Sequence, residues 1–247
     1  MKVTFSNRII GKNTRLGNNL IIEQGVVIGE NCRIGNNVTV YEGTEIGDNV
    51  RIDDNSVIGK QPMKAITSTV TGDNKQPPCV IEDGCIIGTN VIIYAGCYIE
   101  KNCLLADLSS IREKVKIGEK TIIGRGVAIE NYCYIGSYCK LETNSYITAY
   151  SLLEDYVFIA PGVITSNDNF AGRSEERFKQ FKGVTVKRGG RIGANATILP
   201  GIVIEEDGFV GAGSVVTKNI PSGKIVIGNP AKVEKNVPES QLLKNNI

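Results

Sequence analysis

Seven cysteines, a charged segment running from Asp107 through Arg112 to Glu113, and no histidine at all set the chemical limits of this chain. Without His there is no Ser–His–Asp triad, no His-ligated zinc or haem, and no side chain whose ordinary pKa lies near neutrality. The cysteines have no imidazole to polarise them and none stands in a CxxC pair, so thiol catalysis, redox exchange and metal binding lack their usual signatures. No metal is expected. Carboxylate and amide chemistry is left. Asp107 and Glu113 interrupt a repeating pattern where packing does not require them, and Asn131 stands three repeats beyond Glu113. A carboxylate beside an amine orients it and can take its proton late in a reaction, although it also stabilises the ammonium form. The competing reading of Asp107, Arg112 and Glu113 is a surface ion network.

The elements that must hold these residues repeat every six positions. Large branched residues recur six apart from Ile10 to Ile58, from Ile81 to Ile159 and from Val186 to Val216. The residue after each anchor is often Gly, the third after it Asn or Gly, and the fourth small. Asn and Gly tolerate the positive φ of a tight corner, so each hexad reads as a short strand and a turn. A helix would need apolar residues at spacings of three and four, which are not supplied. Such units stack into a parallel β-helix whose coils hydrogen-bond about 4.8 Å apart. With three hexads per coil, residues separated by three hexads share a column: Cys79 with Cys97, and Cys85 with Cys103, while Cys133 and Cys139 join the same columns two coils on. The thiols are therefore expected to be buried packing groups.

Residues 60–78 and 166–185 abandon the period and should leave the prism as loops, the kind of segment that carries function on a rigid scaffold. Residues 173–188 hold six basic side chains, Arg173, Arg177, Lys179, Lys182, Lys187 and Arg188, against two acidic ones. The β-helix is expected over residues 1–229, followed at 230–247 by a short helical cap over the last coil. The net charge of +2 gives no electrostatic reason to expect nucleic acid or a membrane as partner. The first ten residues show no leader pattern and no apolar run is long enough to span a bilayer, so a cytoplasmic location is expected.

The stretch VGAGSVVTKNIPSGKIVIGNPAKV, from Val210 to Val233, resembles the ending of the hexapeptide-repeat acyltransferases, whose fold is a left-handed parallel β-helix. The resemblance implies an all-β chain, acetyl-CoA as co-substrate, and a homotrimer with active sites between subunits. The segments YAGCYI (94–99), ADLSSIREKVKIGEKTIIGRGV (106–127), IENYCYIG (129–136) and YITAYSLLEDYVFIAPGVITSNDNF (146–170) are similar to N-acyltransferases of nucleotide-linked amino sugars, in particular dTDP-3-amino-3,6-dideoxyhexoses and dTDP-4-amino-4,6-dideoxyhexoses. It follows that Asp107, Glu113 and Asn131 are the candidate catalytic residues. Arg112, Ser109, Tyr132 and Asn144 are candidate sugar contacts. Ala160, Gly162, Asn167, Ala212, Gly213, Lys218, Asn229 and Pro230 are candidate contacts for coenzyme A. Tyr132, Tyr138, Tyr150 and Tyr156 recur at corners, where base stacking and trimer packing explain them equally well.

A site without His suits an amine better than an alcohol. A hydroxyl needs a base in the transition state. A sugar amine, with electron-withdrawing oxygens nearby, should titrate near about 8 rather than about 10.4. Roughly a tenth is then neutral at pH 7, a cost of about 1.4 kcal/mol, and positioning can offset more than that. Direct attack on the thioester, with the CoA sulfur as final proton acceptor, is the expected mechanism. Saccharide O-acetylation and a non-catalytic trimeric scaffold are the alternatives, and the sugar's stereochemistry, the attacked carbon, the acyl length and the choice of dTDP or UDP stay open.

Overall fold

A computed structural model describes residues 9–247. The N-terminal residues read for a leader, and the start of the expected β-helix at residue 1, fall partly outside that range. Short strands, most of two residues, follow one another around a left-handed triangular coil and pair into three sheets of 10, 12 and 10 strands, parallel throughout except for the last strand of the second sheet. We call these the first, second and third faces, beginning at Ile9–Ile10, Arg15–Leu16 and Ile21–Ile22.

The register follows from the sequence period. Ile99 pairs with Ile117, and Ile117 with Ile135, each one coil further along. In each pair of strand residues the second points inward: Ile28, Ile58, Ile87, Ile111, Ile135 and Ile159 are all fully buried. Burying one such side chain contributes roughly 1.5–3 kcal/mol, repeated on every face of every coil. The corners take the left-handed backbone that Asn and Gly allow, as at Asn13, Asn31, Asn49 and Gly84 on the corner between the first and second faces. All seven cysteines are free and buried inside the prism. Burial pushes the thiols of Cys97, Cys133 and Cys139 up to about 12.

The chain leaves the coil after Lys60 and rejoins at Val80, and leaves again after Thr165 to rejoin at Thr185. Neither excursion disturbs the ladder, because Ile46 still pairs with Ile81 and Leu153 with Val186 across the gaps. At the far end the second face closes with an antiparallel hairpin, Lys224–Gly228 against Ala231–Asn236. A division at residue 229/230 would cut the turn of this hairpin. Beyond it the tail makes two single 3-10 turns, Glu239–Gln241 and Leu243–Asn245, rather than one continuous helix. A strand, not a helix, covers the exposed sheet edge, because the backbone groups left open there are satisfied most directly by another strand. No described helix is long and apolar enough to cross a membrane.

Candidate active site

The corner between the third and first faces gathers polar side chains into one hydrogen-bonded group. Arg112 follows the anchor Ile111, and one coil on Glu130 follows the anchor Ile129, so the two lie one above the other. Arg112 Nε donates to Glu113 Oε2 at 2.9 Å, its Nη2 to Glu113 Oε1 at 3.3 Å, and its Nη1 lies 3.7 Å from Glu130 Oε2. The guanidinium also stacks over the Tyr94 ring, 4.8 Å from its centroid. Glu113 is 1 % exposed, and this bidentate cation together with Asn131 gives its charge the partners that burial demands.

Asn131, itself 2 % exposed, donates Nδ2 to Glu113 Oε1 at 3.0 Å. An ionised carboxylate only accepts, so the bond fixes which end of the amide faces Glu113 and leaves the acceptor Oδ1 for the pocket that Asn131 lines. That pocket, an open one of about 440 Å³, is lined by both excursions: Thr67 to Thr71 from the first, Asn167 and Arg177 from the second. Arg112 Nη2 donates to Thr71 Oγ1 at 3.0 Å and ties the first loop to the coil. Arg177 Nε lies 3.1 Å from Asp168 Oδ2, holding the second.

Glu130 and Tyr146 complete the wall. Burial pushes the Glu130 carboxyl above the usual carboxylate range, more than neighbouring Arg112 pulls it back; Glu113 adds to the rise and the Tyr146 hydroxyl opposes it. The pocket therefore offers a fixed acceptor, a carboxylate of raised proton affinity and two guanidinium groups.

Of the residues singled out from sequence, Glu113, Asn131, Arg112 and Asn167 come together here. Asp107 does not join them. It sits one corner away, between the second and third faces, where its exposed carboxylate accepts the Thr89 amide at 2.8 Å. Asp54 makes the same bond to the Asn36 amide at 2.6 Å, so this is a turn-closing ladder. Asn144 stands exposed on that same corner, at φ 59°. Ser109 points into the prism, 1 % exposed and with an unpartnered hydroxyl, and does not reach the pocket. Tyr132 stacks on Tyr150 beside the pocket, ring centroids 5.3 Å apart.

The candidate CoA contacts fall into two groups. Gly162 and Gly213 lie on the second–third corner at φ 69° and 68°, with exposed Ala212 preceding Gly213, while Ala160 is buried at the start of that corner, just after the strand Phe158–Ile159. Among the described residues nothing stands within 4 Å of where a Cβ on Gly213 would be, so a ligand can approach that backbone closely. Lys218 and Pro230 line a separate cavity of about 330 Å³ beside the terminal hairpin, with Asn229 at its exposed turn.

Glu130 and Tyr146 are site residues that motif reading passes over, whereas Arg177 and the Thr67–Thr71 segment belong to the two excursions expected to carry function. A signal for part of them exists in the column following the third-face anchors, where Tyr94, Arg112, Glu130 and Thr148 stand three hexads apart while many other hexads carry Gly there.

Comparison with known proteins agrees with the repeat. The family model described as bacterial transferase hexapeptide (six repeats) matches residues 9–42, 25–60 and 78–113, and that described as hexapeptide repeat of succinyl-transferase matches 188–218. A dTDP-3-amino-3,6-dideoxy-alpha-D-galactopyranose 3-N-acetyltransferase from Aneurinibacillus thermoaerophilus is 46 % identical over 56 residues, 23 % of this chain and 29 % of that protein. A 2,3,4,5-tetrahydropyridine-2,6-dicarboxylate N-acetyltransferase from Staphylococcus aureus is 46 % identical over 56 residues, 23 % of each chain. The matched stretch thus spans less than a third of either relative. The Arabidopsis UDP-N-acetylglucosamine acyltransferase superposes with a TM-score of 0.66 over 98 % of this chain and 74 % of its own, at 19 % identity, a likeness of fold.

Proposed function

We propose that this chain, a member of the hexapeptide-repeat acyltransferase family, transfers an acetyl group from coenzyme A to the amino group of a dTDP-linked 3-amino-3,6-dideoxyhexose. The observation that carries this reading is the Asn131 carbonyl, held by Glu113 as a fixed acceptor in an open pocket lined by both excursions and by Glu130. An acceptor at that point suits an incoming N–H and would oppose a developing oxyanion, so Asn131 orients the amine and leaves its lone pair for attack. Two relatives named as N-acetyltransferases support nitrogen as the nucleophile.

The chemistry then needs no imidazole. The neutral amine attacks the thioester carbonyl carbon, the C–N bond forms, and the carbonyl electron pair moves to oxygen. The nitrogen gives its proton to Glu130, the carbonyl re-forms, the C–S bond breaks, and the leaving sulfur takes the proton. Amide and free CoA leave, and the carboxylate is restored. Glu113 acts through Arg112 and Asn131 as a positioning residue. The small residues at Gly162, Ala212 and Gly213 admit the pantetheine arm, and Lys218 meets phosphate.

Trimer assembly belongs to the same reading. The outward residues of the third face, Ile92, Ser110, Ala128, Tyr146, Ile164, Thr197 and Val215, carry no charge, and this flat face adjoins the pocket. We place the subunit contact there, and the enzyme in the cytoplasm with its two soluble substrates. Thiol release from acetyl-CoA over dTDP-3-amino, dTDP-4-amino and hydroxyl-only deoxyhexoses tests the proposal. Turnover should be fastest with the 3-amino sugar and absent with the alcohol; turnover of the alcohol alone would refute it.

A further inference from the structure

Two pairs of tyrosines stack along the corners of the prism, and they differ at their ends. Tyr138 and Tyr156 lie parallel, centroids 4.9 Å apart, between Lys120 Nζ at 4.9 Å from the Tyr138 centroid and the Arg188 guanidinium at 5.1 Å from that of Tyr156. Both ends of that stack are covered by cations. Tyr132 and Tyr150 also lie parallel, at 5.3 Å and 10°, and Lys114 Nζ covers Tyr132 at 5.2 Å. Among the described residues no cation covers Tyr150 in the same way. Leu152 pairs with Thr185, so the residue one coil beyond Tyr150 is Gly183, which has no side chain to lay on the ring. Tyr150 is 41 % exposed.

The backbone says that the fold does not ask for these rings. Tyr132 and Tyr150 sit at φ 62° and 66°, in a column where earlier coils place Gly25, Gly43, Gly96 and Lys114; Tyr138 and Tyr156 share this backbone at φ 57° and 59°, so it is the neighbouring pocket that sets the first pair apart. A bulky side chain in the left-handed region is disfavoured, and such outliers gather at binding sites. Each tyrosine directly follows a residue that lines the pocket, Tyr132 after Asn131 and Tyr150 after Ala149. An exposed aromatic ring that carries no cation and directly follows a residue lining a polar pocket fits a flat heteroaromatic ring, since every nucleobase has a π-face to offer.

We propose that Tyr150, backed by Tyr132 and Lys114, is the stacking platform for the base of a nucleoside diphosphate whose sugar enters the pocket. The ligand's identity rests on the nucleotide-sugar reading above, but binding is tested without turnover. Stacking holds any base, so the platform selects a nucleotide over a bare sugar phosphate and not thymine over uracil.

Calorimetric titration of the full chain with dTDP and with pyrophosphate, which lacks a base, separates the contributions. Tyr150→Leu removes the ring at a backbone geometry this protein already accepts for Leu108 at φ 64°. It should weaken dTDP by tenfold or more and leave pyrophosphate unchanged, while Tyr156→Leu leaves both unchanged and Tyr150→Phe retains dTDP binding. Should Tyr150→Leu not fold, nitration mapping of the unaltered protein gives the same answer: dTDP protects Tyr150, and pyrophosphate does not. Equal dTDP affinity in Tyr150→Leu and the native chain, equal losses in Tyr150→Leu and Tyr156→Leu, or no preference of the native chain for dTDP over pyrophosphate overturns the platform. A chain that binds dTDP through Tyr150 yet acylates no amine removes the proposed reaction and leaves this subsite standing.

Discussion

Asn131 donates its side-chain amide to Glu113, one coil away, at 3.0 Å, and that single bond decides which end of the amide the pocket receives. Replacing Glu113 by Gln supplies a donor where only an acceptor stood, and the Asn131 amide loses its reason to point Oδ1 outward. Steady-state kinetics of Glu113→Gln should show kcat lowered tenfold or more, about 1.4 kcal/mol in the barrier, with KM for acetyl-CoA unchanged. An unchanged kcat would mean that the amide's orientation does not matter.

Glu130→Gln removes the proton carrier. A loss of about a hundredfold in kcat is expected, together with loss of the acid limb of the kcat–pH profile, which reports protonation of a carboxyl held above its usual range by burial. The same shift has a stability consequence. A folded-state pKa above the unfolded value stabilises the fold below the unfolded pKa, and that contribution is lost as pH rises through the folded one. At pH 7 the charged Glu130 is a cost, so Glu130→Gln should melt higher than the native chain there, with the difference vanishing in acid. A lower melting temperature at pH 7 would contradict this.

Asp107→Asn should be silent. The ladder bond needs only an acceptor at Oδ1, and Asn36 already makes it to the Asn18 amide at 2.9 Å in the same column. Turnover within about twofold of native and stability within about 0.5 kcal/mol are expected from kinetics and thermal melts. A tenfold loss of kcat would bring Asp107 back into the chemistry.

Thiol reagents should find little to attack. With pKa values pushed up to about 12, Cys97, Cys133 and Cys139 are ionised to ~10⁻⁴ at pH 8, and all seven cysteines are buried. Labelling should be negligible in the native state and should reach seven equivalents in denaturant, as counted by mass spectrometry. Rapid native labelling of several sites would contradict the assignment of the columns.

These outcomes mark what the sequence could and could not convey. The period of six carries the fold nearly whole, because each hexad is a self-contained strand and corner whose packing depends only on the hexads one coil above and below. The same geometry explains why Asp107 and Glu113, six apart and close in sequence, belong to different corners, while Glu113 and Asn131 meet. Ser109 is adjacent to the segment in sequence yet inward in space, because it occupies the small position of its hexad. The column Tyr94, Arg112, Glu130 and Thr148 was legible at the three-hexad spacing. The docking of the excursions was not: the bond from Arg112 to Thr71 joins residues 41 apart with no period linking them. The tail's strand likewise arises from an open sheet edge that local propensity does not report.

The most direct test of the central claim is a crystal structure with CoA and a dTDP-3-amino-3,6-dideoxyhexose bound. The account predicts the sugar nitrogen within hydrogen-bonding distance of Asn131 Oδ1, with Glu130 beside it and the CoA sulfur on the open side. A sugar hydroxyl in that place, or the sugar seated at another corner of the prism, would contradict it.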